Sequence, residues 1–201
     1  MAQFCTGAVL SFEPSSVFHS RLCMNIKLNN LSSRIIPVQK GLSDKEETLI
    51  LFETRRNKGN AHLAKSISKL NFLDPNHLLE SEEKVECKKL DEIDLEIYSF
   101  QPDQVDLIKV DIETLEYKFF RGGAGLIARN LPNIYCETQR NASNIQGSDV
   151  VTEIFIFLYE LGYSSFKEVG EKIQRFIYPD FESDTIFIHQ TKEIGFYDWI
   201  A

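Results

Sequence analysis

The sequence predicts an α/β fold with a largely parallel sheet and an antiparallel closing strand. Three observations carry that expectation. Apolar, β-rich runs alternate with segments of helical period. Several of those runs stop abruptly at a carboxylate, namely Glu13, Asp111 and Glu137. The last β-rich runs follow each other with no helix between them.

In chain order, Gly7–Phe12 reads as a buried strand closed by Glu13-Pro14. Ser15 or Ser16 can cap the next helix, whose inner stripe is Phe18, Leu22 and Ile26 and which ends near Asn29-Asn30. Arg34–Val38 is a strand, and Pro37 places it at or near a sheet edge. Gly41–Asp44 is a turn, and Thr48–Phe52 a hairpin-paired strand. Residues 55–84 are polar, contain Gly59 and Pro75, and read as a loop or insertion.

Val85–Leu90 alternates like a short strand, and Leu90–Ile93 opens a helical turn. Val105–Val110 is the central strand, stopped by Asp111. Leu115 and Phe119 lie one turn apart on the following helix, which Gly122-Gly123 can end. Leu126–Asn130 is another helical turn, and Asn133–Cys136 a strand ending in Glu137. Ser148 or Asp149 can cap a strongly apolar helix, from Val150 to Leu161, that Gly162 ends. Phe176–Tyr178 and Thr185–Ile188 are the closing strands.

The 201 residues suffice for a single domain, 1–201, with a substantial core. The net charge of −8 argues against a nucleic-acid surface. No apolar run approaches the roughly 18 residues of a membrane span, and the first residues lack the basic start of a signal peptide. A cytoplasmic chain is therefore expected. The four cysteines and four histidines show no metal-ligand spacing, so no metal is expected. Cys87 and Cys136 should be buried thiols, and His189 structural.

Right-handed crossovers would bring the acid-tipped strand ends to one rim, where open α/β sheets bind ligands. Glu13 could accept hydrogen bonds from ribose hydroxyls, or serve only as an acid at the start of the Ser15 helix. Asp111 could hold a cationic centre or take a proton from a hydroxyl. Glu113 and Glu116 could do the same, or merely cap. Neither a P-loop nor a dinucleotide glycine motif is present.

Five segments resemble, in order, the FkbM-type S-adenosylmethionine-dependent methyltransferases. They are VLSFEP at Val9–Pro14, GLSD at Gly41–Asp44 with Asn57 and Gly59 beyond, VECKKLDEI at Val85–Ile93, VDLIKVDIETLEYKFFRG at Val105–Gly122, and PNIYCE at Pro132–Glu137. The fourth is the most specific. The resemblance implies a Rossmann-like methyltransferase sheet and S-adenosylmethionine as cofactor. It implies O-methylation of a sugar or small-metabolite hydroxyl, with a small-molecule or saccharide acceptor. It places Glu13 at the cofactor ribose, Gly41, Leu42 and Ser43 near the adenine, and Asp111 near the methionine end. Asp111 or Glu113 would take the proton.

Two departures matter. Thr114 stands where the family has a glycine, which would hinder close backbone approach to a ligand. The family's first strand and glycine loop should precede the Val9 strand, where only Met1–Gly7 stand. The chain thus reads as an N-terminally incomplete domain, and the strand edges so exposed would invite self-association. The alternative is a noncatalytic remnant kept as an interaction module or without function. A nicotinamide dehydrogenase shares the Glu13 argument but gains nothing from Val105–Gly122.

Overall fold

A computed structural model describes residues 7–54, 57–64, 79–112, 115–138, 149–170, 172–177 and 183–193. The chain divides into two compact units, one ending at Pro102 and the other starting at Asp103.

The first unit begins with a strand–helix–strand crossover. Strand β1 (Val9–Phe12) pairs in parallel with β2 (Ile35–Val38), Val9 opposite Ile35 and Phe12 opposite Val38. Helix α1 (Ser16–Leu28) joins them. Ser15 caps it: its hydroxyl accepts the Phe18 N–H at 3.3 Å, and the residue is wholly buried. Of the expected inner stripe, Ile26 is buried while Phe18 and Leu22 are half-buried. The helix ends at Asn29, and Asn30 turns the chain at φ 56°. Pro37 lies on a strand with one neighbour among the described residues, as its missing N–H requires.

A second sheet follows, ordered β3 (Gly41–Leu42), β6 (Leu79–Lys88), β4 (Glu47–Thr54), β5 (Asn57–Ala64). Strand β4 pairs antiparallel with both β5 and β6, and β3 runs parallel to β6. Leu49, Leu51, Phe52, Val85 and Cys87 are buried in it. Much of the stretch read as a loop is therefore strand. Asn57–Ala64 has almost no apolar alternation, so pairing with β4 decides its conformation, not its own pattern. Residues 65–78 lie outside the described residues.

Among the described residues the second unit is one five-stranded sheet with helices. Its order is β10 (Lys172–Phe176), β9 (Tyr163–Val169), β11 (Ser183–His189), β8 (Asn133–Thr138), β7 (Leu107–Val110). Strands β7 and β8 are parallel; the other three pairings are antiparallel. Helices α2 (Glu116–Gly122) and α3 (Ala124–Asn130) connect β7 to β8, and α4 (Val150–Glu160) precedes β9. The apolar stripe of α4, including Val151, Ile154, Phe155 and Leu158, is buried. Phe155 meets Phe187 of β11 edge-on at 5.0 Å. Asp149 caps α4 by accepting the Thr152 N–H at 3.1 Å. Gly162 ends the turn after it at φ +87°.

Cys87 and Cys136 are buried thiols, and His189 is buried with Nδ1 2.8 Å from the Thr191 hydroxyl. Strand β9 was not expected. Its first four residues are all buried, which erases the alternation that reveals a strand. Glu13 follows β1 in a two-stranded sheet of the first unit, whereas Asp111 follows β7 and Glu137 lies near the end of the adjacent β8 in the second.

Candidate functional site

Strand register builds the acidic end of the second unit. Lys109 lies opposite Tyr135, and Val110 opposite Cys136. Because strand side chains alternate, Val110 and Cys136 point into the core and are buried. Lys109 and Tyr135 take the other face, together with the next residues in phase, Asp111 and Glu137. Across β11, Asp184 pairs with Glu137. The sheet thus presents Lys109, Asp111, Tyr135, Glu137 and Asp184 side by side on one face.

The electrostatics follow from these contacts. Lys109 Nζ donates to Asp111 Oδ2 at 2.7 Å. That hydrogen bond, reinforced by the lysine's charge, holds the Asp111 carboxyl below the usual carboxylate range against the opposing effect of partial burial. The Glu137 carboxyl lies within hydrogen-bonding reach of Asp111 and acts in the same direction. The Tyr135 hydroxyl donates to Asp184, which pushes the phenol up to about 12. On the buried side, desolvation raises the Cys136 thiol well above its ordinary value, and the surrounding acids add to it. At neutral pH Asp111 is therefore an ionised acceptor beside one cation.

Glu116 opens α2 and is buried, and its Oε1 accepts the Ile112 N–H at 3.1 Å. Glu113 and Thr114 lie outside the described residues.

The first unit holds the other expected residues. Glu13 follows β1, where its N–H donates to the Val38 carbonyl at 3.0 Å. Its Oε1 accepts the Ser15 N–H at 2.9 Å, so the helix-start role is real and it orients the carboxylate. A second acid serves the same helix end: the Ser16 N–H points at both oxygens of Glu83, at 3.1 and 3.0 Å.

Gly41, Leu42 and Ser43 are all buried. A Cβ on Gly41 would sit 2.5 Å from Cys87 Sγ, so packing against that thiol requires glycine there. The Ser43 hydroxyl donates to Glu47 at 2.7 Å. The structure therefore brings Glu13 beside Val38, three residues before Gly41, and it brings Asp111 and Glu137 together.

Sequence reading missed the Lys109–Asp111 bond, although residues two apart on a strand share a face. It also missed Tyr135–Asp184 and Glu83, which join residues too far apart in sequence for any local signal. Among the described residues no group of three or more metal-binding side chains occurs, and no helix is long and apolar enough to cross a membrane.

Comparisons with known proteins bear on this arrangement. A family model described as the methyltransferase FkbM domain matches residues 2–165. The crystal structure of methyltransferase FkbM from Methylobacillus flagellatus KT superposes with a TM-score of 0.51 at 14% identity. That superposition covers 90% of this chain and 36% of that chain, so this chain spans about a third of its length. At such identity the likeness bears on the fold alone. No curated protein matches. The matched residues include β1 with Glu13, the β7–α2 segment with Asp111, and β8 with Glu137, and the chain belongs to the FkbM methyltransferase family.

Proposed function

We propose that the chain binds S-adenosylmethionine and serves methyl transfer to a hydroxyl oxygen of a sugar or small metabolite. The observation that carries this reading is Asp111. It stands where the family-specific segment leaves its strand, and Lys109 hydrogen-bonds its carboxylate and lowers its pKa. Bound cofactor would supply an electrophilic methyl group on a sulfonium. The chain's own part is positioning. An anionic Asp111 suits the ammonium of a methionine moiety, because a charge-assisted hydrogen bond is among the stronger polar contacts. The Glu13 carboxylate, already oriented by Ser15, suits ribose hydroxyls.

Around the Gly41 turn the fit is poorer. The Leu42 and Ser43 side chains are turned inward, which leaves contact with an adenine to backbone and to half-buried Asp44. A proton leaving the acceptor hydroxyl would fall to Asp111 or Glu113. The lowered pKa of Asp111 makes it a weaker base than an ordinary carboxylate.

The second reading is a noncatalytic member of the family, and the inward-turned Leu42 and Ser43 favour it. Isothermal calorimetry with S-adenosylmethionine and S-adenosylhomocysteine separates the two. Saturable heat with either ligand, weakened by D111N and by E13Q, supports the first reading. Absence of heat and of any thermal shift with both ligands supports the second.

A further inference from the structure

We infer that Glu116 is a positioning residue, whose buried carboxylate holds the Ile112 N–H and thereby fixes the backbone that carries Asp111. The importance of Asp111 rests on the function proposed above; the positioning itself rests on geometry. A glutamate in the first turn of a helix ordinarily faces water and interacts with the helix dipole. Glu116 does neither in the ordinary way. It is 5% exposed, and its Oε1 reaches back four residues to the amide directly after Asp111, at 3.1 Å. Leu115, the residue before the helix, makes no side-chain cap. Burying a carboxylate is costly unless hydrogen bonds hold it, so the interior position is meaningful only through the groups it grips.

The chain leaves β7 at Val110, which is buried and held opposite Cys136. Ile112 is held by Glu116. Asp111 lies between two fixed points, and its side chain emerges toward Lys109 and Glu137. The charged and titratable groups around it are Lys109 on its own strand, Tyr135, Cys136 and Glu137 on β8, Asp184 on β11, and Glu116 beneath. A shift of the backbone by a fraction of a bond length would lengthen the 2.7 Å bond to Lys109, the largest cause of the low Asp111 pKa.

Two variants of the full chain separate reach from charge. E116Q keeps the acceptor oxygen and loses the charge. E116D keeps the charge, but its carboxylate stops about 1.5 Å short. The readouts are hydrogen exchange at the Ile112 amide and the carboxyl titration of Asp111, both by NMR and both without ligand. In E116Q, Ile112 keeps its protection and Asp111 its low titration. In E116D, Ile112 exchanges about tenfold faster, as expected for one lost hydrogen bond, and Asp111 titrates closer to the usual range. Loss of stability alone would not move the Asp111 titration. Any other pattern overturns the inference: both variants like wild type, both altered, or only E116Q altered. If wild-type chain fails to bind S-adenosylmethionine, the proposed function falls, while these readouts still decide the role of Glu116.

Discussion

Replacing Lys109 by Met removes the cation that lowers the Asp111 pKa and keeps most of the side chain's bulk. The side chains of the pair are 45% and 44% exposed, so its contribution to stability belongs to the surface end of the scale, about 0.2–1 kcal/mol. For a chain of 201 residues that corresponds to a fall in Tm of roughly 0.4–4 °C. The sign with pH follows from the direction of the shift. A lowered folded-state pKa stabilises above the unfolded value of about 3.9 and ceases to do so as pH falls through the folded one. Wild type and K109M should therefore differ at neutral pH and converge progressively as the pH falls from about 4 through the lowered folded-state value. The larger effect is on Asp111 itself. Without the lysine, burial acts unopposed by its strongest partner, and the carboxyl titrates at higher pH. Carboxyl NMR of both proteins reads this directly. An Asp111 titration unchanged in K109M would refute the argument, because it would locate the cause of the shift elsewhere.

Other expectations concern residues the fold depends on. G162A forces a side chain onto φ +87° and brings its Cβ to 3.0 and 3.1 Å from Gln190 and His189; we expect a loss of about 1–2 kcal/mol or more, read by denaturant unfolding. G41A drives a Cβ against Cys87 Sγ and should cost about 1–3 kcal/mol, while G41A/C87A should be more stable than the two single effects predict. Simple additivity in that cycle would show that the contact is not the cause. D184N should bring the Tyr135 phenol down from about 12 toward the ordinary value of about 10, followed by ultraviolet absorbance.

Legibility in the sequence tracked the locality of the physics. Helix α4 was readable because its apolar residues recur at helical spacing, with Asp149 and Gly162 as punctuation. Strand β7 and its acid stop were equally plain. Strand β5 was not, since NKGNAHLA becomes strand through its partner β4. Strand β9 hid because four successive residues are buried. The site divided the same way. Asp111 and Glu137 could be named as strand-end acids, and their adjacency follows from parallel register. The inward turn of Leu42 and Ser43 could not be read, because a Gly-Leu-Ser-Asp segment looks like an exposed turn until Cys87 and Glu47 are seen against it. Glu13 was given two roles. The structure realises the helix-start role through Ser15, which is compatible with the other.

This chain is proposed to hold S-adenosylmethionine with Asp111 at the methionine end. The most direct test is the unfolding temperature of wild type and D111N as the ligand is raised to about 100 times its Kd, with calorimetry as a check. At that concentration a ligand confined to the folded state stabilises by about 2.7 kcal/mol, or roughly 5–11 °C for a chain of this size. That rise is expected for wild type, and a clearly smaller one for D111N at the same ligand concentration. Equal shifts in the two proteins would remove Asp111 from the site, and no shift and no heat in wild type would contradict the claim itself.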